Sequence, residues 1–229
     1  MKPIQSNIKI AKKYLNKDDC VGIPTETVYG LAANAYSNIA VKKIFKLKKR
    51  PKSNPLIVHY YNIQNLKKDC YINADFIKLY KRFCPGPITF VLNLKKSTKI
   101  SKFTTNFKKT LAVRFPKNKV IRSLLSKLDY PLAAPSANIF KNISPVNAKD
   151  VKENFGKKLR YVLDGGRSKI GLESTIVDIR KSPIILRYGG LEKSKIERIL
   201  GKKIKVGINT KKNSSPGQFK VHYSPGIPL

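Results

Sequence analysis

The residues best suited to chemistry in this 229-residue chain stand in short segments at the ends of apolar runs. Pro24-Thr25-Glu26-Thr27-Val28-Tyr29-Gly30 offers hydroxyls and one carboxylate, and it carries no lysine in a chain crowded with lysine. Lys48-Lys49-Arg50-Pro51-Lys52-Ser53-Asn54-Pro55-Leu56 offers cations, a hydroxyl and an amide. Ala112-Val113-Arg114-Phe115-Pro116, Ala134-Pro135-Ser136-Ala137-Asn138, Gly171-Leu172-Glu173-Ser174-Thr175 and Leu186-Arg187-Tyr188-Gly189-Gly190 add arginines, hydroxyls and an amide. Such sets bind anions and small polar molecules: Arg gives a planar fork for carboxylate or phosphate, Lys a point charge, Ser and Asn neutral hydrogen bonds. Arg114 is the sharpest single signal. An arginine inside an apolar strand must be paired or face a cavity, because burying it alone is expensive.

Each segment alone admits a plainer reading. Lys48 and Arg50 also suit the solvated end of a basic helix. Ser136 and Asn138 also suit turn hydrogen bonds, Ser144 a helix cap, and Cys84-Pro85-Gly86-Pro87 a simple turn. His59 also suits a satisfied core histidine.

Composition narrows the field. With 48 basic against 13 acidic residues, the net charge of +35 points to a polyanionic partner, or to a compositional bias towards lysine. Three cysteines with no CxxC pair and only two histidines argue against a structural zinc site and a disulfide framework. Neither GxxxxGK[ST] nor GxGxxG occurs. A bound nucleotide would therefore be met by side chains. There is no apolar run of membrane-spanning length and no signal-peptide core, so a cytoplasmic protein is expected.

These segments fall at strand ends, where α/β proteins place ligands. Apolar spacing predicts helices over 4–16, from a Ser37 cap through Leu47, over 74–83, 119–128 and 191–200, with another opened by Ser144-Pro145. Strands are predicted at 20–23, 56–60, 88–94, 111–115, 132–134, 161–163, 174–179 and 184–186. The last two form a hairpin, so the sheet is mixed. The expected fold class is α/β, a twisted mixed sheet flanked by helices around a basic cavity. Residues from 201 onward are polar and Pro/Gly-punctuated and read as a linker or tail.

Taken in order, PTETVYGLAANA, Lys48 through Leu56, CPGPITFVL, AVRFP, APSAN, LDGG, GLESTIVDI and ILRYGG resemble the YrdC-like domain of the L-threonylcarbamoyladenylate synthases over about residues 5 to 200. SPGQFKVHYSP resembles the linker of the two-domain members. The resemblance implies a YrdC/RibB-like fold in residues 1–200, a tail in 201–229, and no second domain. It implies a nucleotidyltransferase that makes threonylcarbamoyl-AMP and pyrophosphate from L-threonine, bicarbonate and ATP, with Mg²⁺ on the triphosphate. The product would serve tRNA modification through downstream threonylcarbamoyl-transfer proteins, with tRNA or another RNA as a further contact.

By motif, Lys48 and Arg50 would be catalytic. Arg50, Asn54, Thr110, Ser136, Asn138, Ser144, Arg187 and Tyr223 would meet ATP. Thr27, His59, Arg114, the backbone at Ala134, and Ser174 would hold L-threonine. On that reading the PTET segment lacks lysine because a cationic side chain there would compete for the threonine carboxylate. Phe140-Lys141 replaces the Ser-Gly usual after APSAN, which puts the shape of the adjoining loop in question. Two rivals remain: a non-catalytic RNA-binding module, and a carbamoyltransferase domain, for whose companion regions the sequence shows no counterpart.

Overall fold

The computed structural model describes residues 4–207. The expected Tyr223 contact therefore lies outside the described residues. The elements are helices α1 (Ile4–Leu15), α2 (Asn38–Lys48), α3 (Ile63–Lys67), α4 (Ala74–Phe83), α5 (Lys102–Thr105), α6 (Lys119–Leu125), α7 (Ala148–Phe155) and α8 (Lys193–Leu200). The strands are β1 (Val21–Ile23), β2 (Gly30–Asn34), β3 (Ile57–His59), β4 (Ile88–Asn93), β5 (Thr110–Arg114), β6 (Leu132–Ala133), β7 (Thr175–Asp178), β8 (Ile184–Arg187) and β9 (Lys205–Val206).

The strands form one nine-stranded mixed sheet in the order β1-β2-β6-β3-β5-β4-β7-β8-β9. β3 pairs in parallel with β5, β4 with β7, and β8 with β9; the other neighbours are antiparallel. Alternation divides the central strands between two faces. Val58, Val113, Phe90, Leu92, Val177 and Ile185 join the main core, to which α4 contributes Phe76 and Leu79, and α8 contributes Ile196 and Leu200. The opposite face carries a thin apolar floor of Ile57, Val91, Ala112, Ile176 and Leu186. A second core packs Ile8, Ala11 and Leu15 of α1 and Ile121, Leu124 and Leu125 of α6 on Val21, Ile23 and Ala32.

Most elements start where local chemistry says they should. Ser37 caps α2 by accepting from the Ala40 N–H at 3.2 Å. On α2, Val41, Ile44 and Phe45 are buried, and Lys48 lies at the same spacing, so the helix carries this lysine inward with its apolar face. Asn73 caps α4 and Asn118 caps α6.

Several expectations need correction. Ser144 does not cap a helix: α7 starts at Ala148, with Asn147 accepting from the Asp150 N–H at 2.8 Å. The Pro145 carbonyl instead accepts from the Tyr29 N–H at 2.8 Å, which leaves it outside the helix. Residues 161–163 make only a parallel bridge, Gly22 to Val162, and α6 stops at Leu125. Strand β2 has no counterpart in the predicted set, and β9 adds to the sheet residues that read as tail.

Candidate functional site

On the floor side of the sheet lies a cleft of about 720 Å³ of empty space, open mouth included. It is lined by Lys48, Arg50, His59, Arg114, Ala134, Ser136, Asn138, Ser144, Ser174 and Arg187, together with Thr25, Tyr29, Phe140, Lys141, Asn142 and Glu173. Four distant segments thus converge, as their residue types imply: the end of α2, strands β3 and β5, the APSAN turn, and the β7–β8 pair.

One end of the cleft is strongly cationic. Lys48 is fully buried, and its Nζ donates to the carbonyls of Ser136 and Asn138 at 2.6 and 2.5 Å and to Asn138 Oδ1 at 3.3 Å. Burial pulls its pKa well below the ordinary lysine value, Arg50 pushes the same way, and Glu173 opposes them. Arg50 donates from Nε to the Asn54 carbonyl at 3.2 Å and from Nη2 to the Pro55 carbonyl at 3.0 Å. Burial lowers it to about 10, so it stays charged at neutral pH. Its guanidinium also lies 5.9 Å from the Phe140 ring centroid. Ser136 Oγ donates to Asn138 Oδ1 at 2.6 Å, which joins the two residues of the APSAN motif. Arg187 donates from Nε and Nη2 to the Ser174 carbonyl at 3.1 and 2.9 Å, and from Nη1 to Glu173 Oε2.

The other end is neutral overall and deeply enclosed. Sheet register places His59 opposite Arg114, and Arg114 opposite Thr89, in one row. Thr89 Oγ1 and Ser174 Oγ are 2.7 Å apart. Arg114 Nη2 pairs with Glu26 Oε1 at 2.8 Å, with only 5% and 7% of the two side chains exposed. Glu26 Oε2 also accepts from the Lys117 N–H at 2.8 Å. Burial works to raise the Glu26 pKa, but the Arg114 charge and these hydrogen bonds outweigh it, and the net shift is downward. His59 is buried, its Nδ1 has no hydrogen-bond partner, and burial followed by the Arg114 charge holds its pKa well below the usual value. It is neutral at pH 7.

The structure brings ten of the sequence-derived site residues to the cleft wall and leaves three off it. Thr27 is fully buried behind Thr25, with the two hydroxyls 2.8 Å apart. Asn54 lies behind Arg50, fully buried, with neither side-chain polar atom hydrogen-bonded. Thr110 stands at the far end of β5, on the face shared with Ala112 and Arg114. Two details differ from expectation. Arg114 is not an open fork, since Glu26 takes one arm, although its buried Nε has no partner. The Ala134 N–H is used by the Ile57 carbonyl at 2.8 Å.

Sequence reasoning assigned no role to Glu26 or Glu173. A signal existed: they are the only acidic residues in the segments singled out for chemistry, in a chain with 13 acids against 48 bases. Each is paired with an arginine of the cleft.

The fold is thus a mixed α/β sheet with a cation-rich cleft beside a pocket of hydroxyls, a buried histidine and an arginine paired with a carboxylate. Comparison with known proteins then fixes the family: residues 13–189 match Sua5_yciO_yrdC, described as "Telomere recombination", and the chain belongs to it. It is 40% identical over 227 residues to a threonylcarbamoyl-AMP synthase of Pyrococcus abyssi, covering 95% of this chain and 65% of that protein. It is 38% identical to the Bacillus subtilis threonylcarbamoyl-AMP synthase, covering 96% of this chain and 64% of that one. Among solved structures, P. abyssi Sua5 complexed with L-threonine superposes with a TM-score of 0.90 at 38% identity, covering 95% of this chain and 65% of that one. The chain spans a little under two thirds of the length of these relatives.

Proposed function

We propose that this chain makes threonylcarbamoyl-AMP from L-threonine, bicarbonate and ATP and releases pyrophosphate. The observation that carries the reading is one cleft with two ends, cationic at Lys48, Arg50 and Arg187 and enclosed at His59, Arg114 and Ser174. A related structure described as complexed with L-threonine supports placing an amino acid in the enclosed end.

In the bond-making step, an oxygen of the threonine carbamate attacks the α-phosphorus of ATP. The bond from that phosphorus to its bridging oxygen breaks, and pyrophosphate leaves with the electron pair. Lys48, Arg50 and Arg187 neutralise charge on the departing group. Such a transfer depends on positioning and charge stabilisation more than on a covalent nucleophile. Among the described residues no three metal-ligating side chains come together. A divalent cation carried in with the triphosphate would add positive charge there. Arg114 Nε and the Ser174 hydroxyl are the groups suited to the amino-acid carboxylate and hydroxyl. A site that pairs a hydroxyl rejects analogues lacking it better than an apolar pocket does. Asn54, Thr110, Ser136, Asn138 and Ser144 complete the nucleotide side of this reading. No helix among the described residues is long and apolar enough to cross a membrane. A cytoplasmic setting and use of the product in tRNA modification go with the proposal.

The test is incubation with ATP, bicarbonate and threonine, followed by detection of the labile adenylate. Arg50→Ala should lower threonine-dependent pyrophosphate release by on the order of 10²-fold. An unchanged rate removes Arg50 from the mechanism. The net charge of +35 favours a second reading as an RNA-binding module. That reading requires steeply salt-dependent RNA affinity without threonine-dependent ATP consumption.

A further inference from the structure

The cationic end of the cleft already contains an anion of the protein's own. Glu173 precedes β7, and its carboxylate faces the cations. Oε2 accepts from Arg187 Nη1, and Oε1 accepts from Ser144 Oγ at 3.1 Å. The backbone holds it there, because the Gly190 N–H donates to the Glu173 carbonyl at 2.8 Å. Its charge also opposes the effect of burial on Lys48 and Arg50. Lys48, Arg50 and Arg187 line this end of the cleft together, and Glu173 is the carboxylate among them.

We propose that Glu173 is an internal counter-anion that stands in for a phosphate group and sets an affinity threshold that a polyphosphate clears and a monophosphate does not. The proposal rests on the nucleotide reading above. An incoming phosphate must compete with Glu173 for Arg187 and Ser144. A single phosphate replaces one anion by another and gains little. A triphosphate gains Lys48 and Arg50 as well, and prevails. Were Glu173 only a brace for Arg187, loss of its charge would weaken every phosphate ligand.

Glu173→Gln separates the two cases. The amide keeps the size of the side chain, an oxygen that can accept from Arg187 and an NH2 that can donate to the Ser144 hydroxyl, but it no longer competes as an anion. Calorimetric titration of the full chain with inorganic pyrophosphate, AMP and ATP is the experiment. Pyrophosphate and AMP should bind the variant on the order of tenfold more tightly than the wild type, about 1.4 kcal/mol. ATP, which displaces the same carboxylate, should gain by a similar factor. Equal or weaker binding of pyrophosphate and AMP overturns the proposal, and a gain of affinity is not an effect that structural damage produces. In an Arg187→Gln background the gain should vanish, and a gain of full size there also overturns it. If Glu173→Gln does not fold, Glu173→Ala serves with the same expected sign. Pyrophosphate binding needs no turnover. Failure of the synthase reading would show separately, as wild-type protein that consumes no ATP with threonine.

Discussion

Replacing Glu26 by Gln tests whether the enclosed end of the cleft is held by charge. In the folded protein the Glu26 carboxylate faces Arg114 Nη2 at 2.8 Å and accepts the Lys117 N–H at 2.8 Å, and both members of the ion pair are almost fully buried. Gln keeps the shape and one acceptor but leaves the guanidinium without its counter-charge. Breaking a buried pair by removing one partner costs about 3–5 kcal/mol. The retained acceptor argues for the lower end, roughly 3 kcal/mol. At about 2–4 °C per kcal/mol for a domain of this size, the melting temperature should fall by roughly 6–12 °C. Circular dichroism melts of the two proteins measure this directly.

The pH dependence gives the check its sign. The folded-state pKa of Glu26 lies below the ordinary glutamate value of 4.5, so its charge stabilises the fold fully above that value. The contribution is lost as pH falls through the folded pKa. Glu26→Gln has no such proton to bind. The gap between the two melting curves should therefore be constant near neutrality and close as the solution is acidified below about pH 4. A drop of less than about 2 °C at neutral pH, roughly the effect of 1 kcal/mol, would refute the reasoning, since Arg114 would then not depend on the Glu26 charge. So would a gap that persists unchanged in acid.

Two further substitutions follow from the same geometry. Asn54→Leu replaces a buried amide whose two side-chain polar atoms have no protein partner. An unsatisfied buried polar group costs about 1–3 kcal/mol, so the variant should melt higher by a few degrees while its KM for ATP rises on the order of tenfold; a lower melting temperature would show that the amide is satisfied. Gly189→Ala would put a methyl group 2.2 Å from the Glu173 carbonyl oxygen and 2.6 Å from the Thr175 backbone nitrogen. Backbone atoms cannot yield as side chains do, so the variant should lose about 1–3 kcal/mol or more and much of its pyrophosphate affinity, and unaltered melting and binding would contradict the close approach.

How legible the fold was depended on whether an element is specified locally. The helix over Ala74–Phe83 was, because its apolar spacing, its Asn73 cap and the following Pro85 agree. Strand β2 was not. Gly30-Leu31-Ala32-Ala33-Asn34 has no β-branched residue, and it becomes a strand only because β1 and β6 pair with it on both sides. The Ser144-Pro145 signal was misleading for a related reason. A Ser-Pro pair suits a helix start, but long-range bonds take both residues: Ser144 goes to Glu173 and the Pro145 carbonyl to Tyr29. Asn147, three residues on, then caps α7.

The site divides along the same line. Its cations were legible because Lys and Arg beside strand ends are conspicuous as types, and Lys48 keeps the helical spacing of its apolar neighbours. Its anions were not, because Glu26, in the loop between β1 and β2, meets Arg114 at the end of β5 only in the folded chain, across 88 positions. The two arginine–glutamate pairs also differ in depth. The Arg114–Glu26 side chains are 5% and 7% exposed, whereas those of Arg187–Glu173 are 12% and 16% exposed and stand at the cationic end. Opening the first would strand a charge in a dry site, which is costly. Opening the second lets water or a phosphate take the place of the partner. On the proposed reading, the amino-acid end is therefore preformed and rigid, and the exchange of partners that accompanies nucleotide binding falls to Glu173.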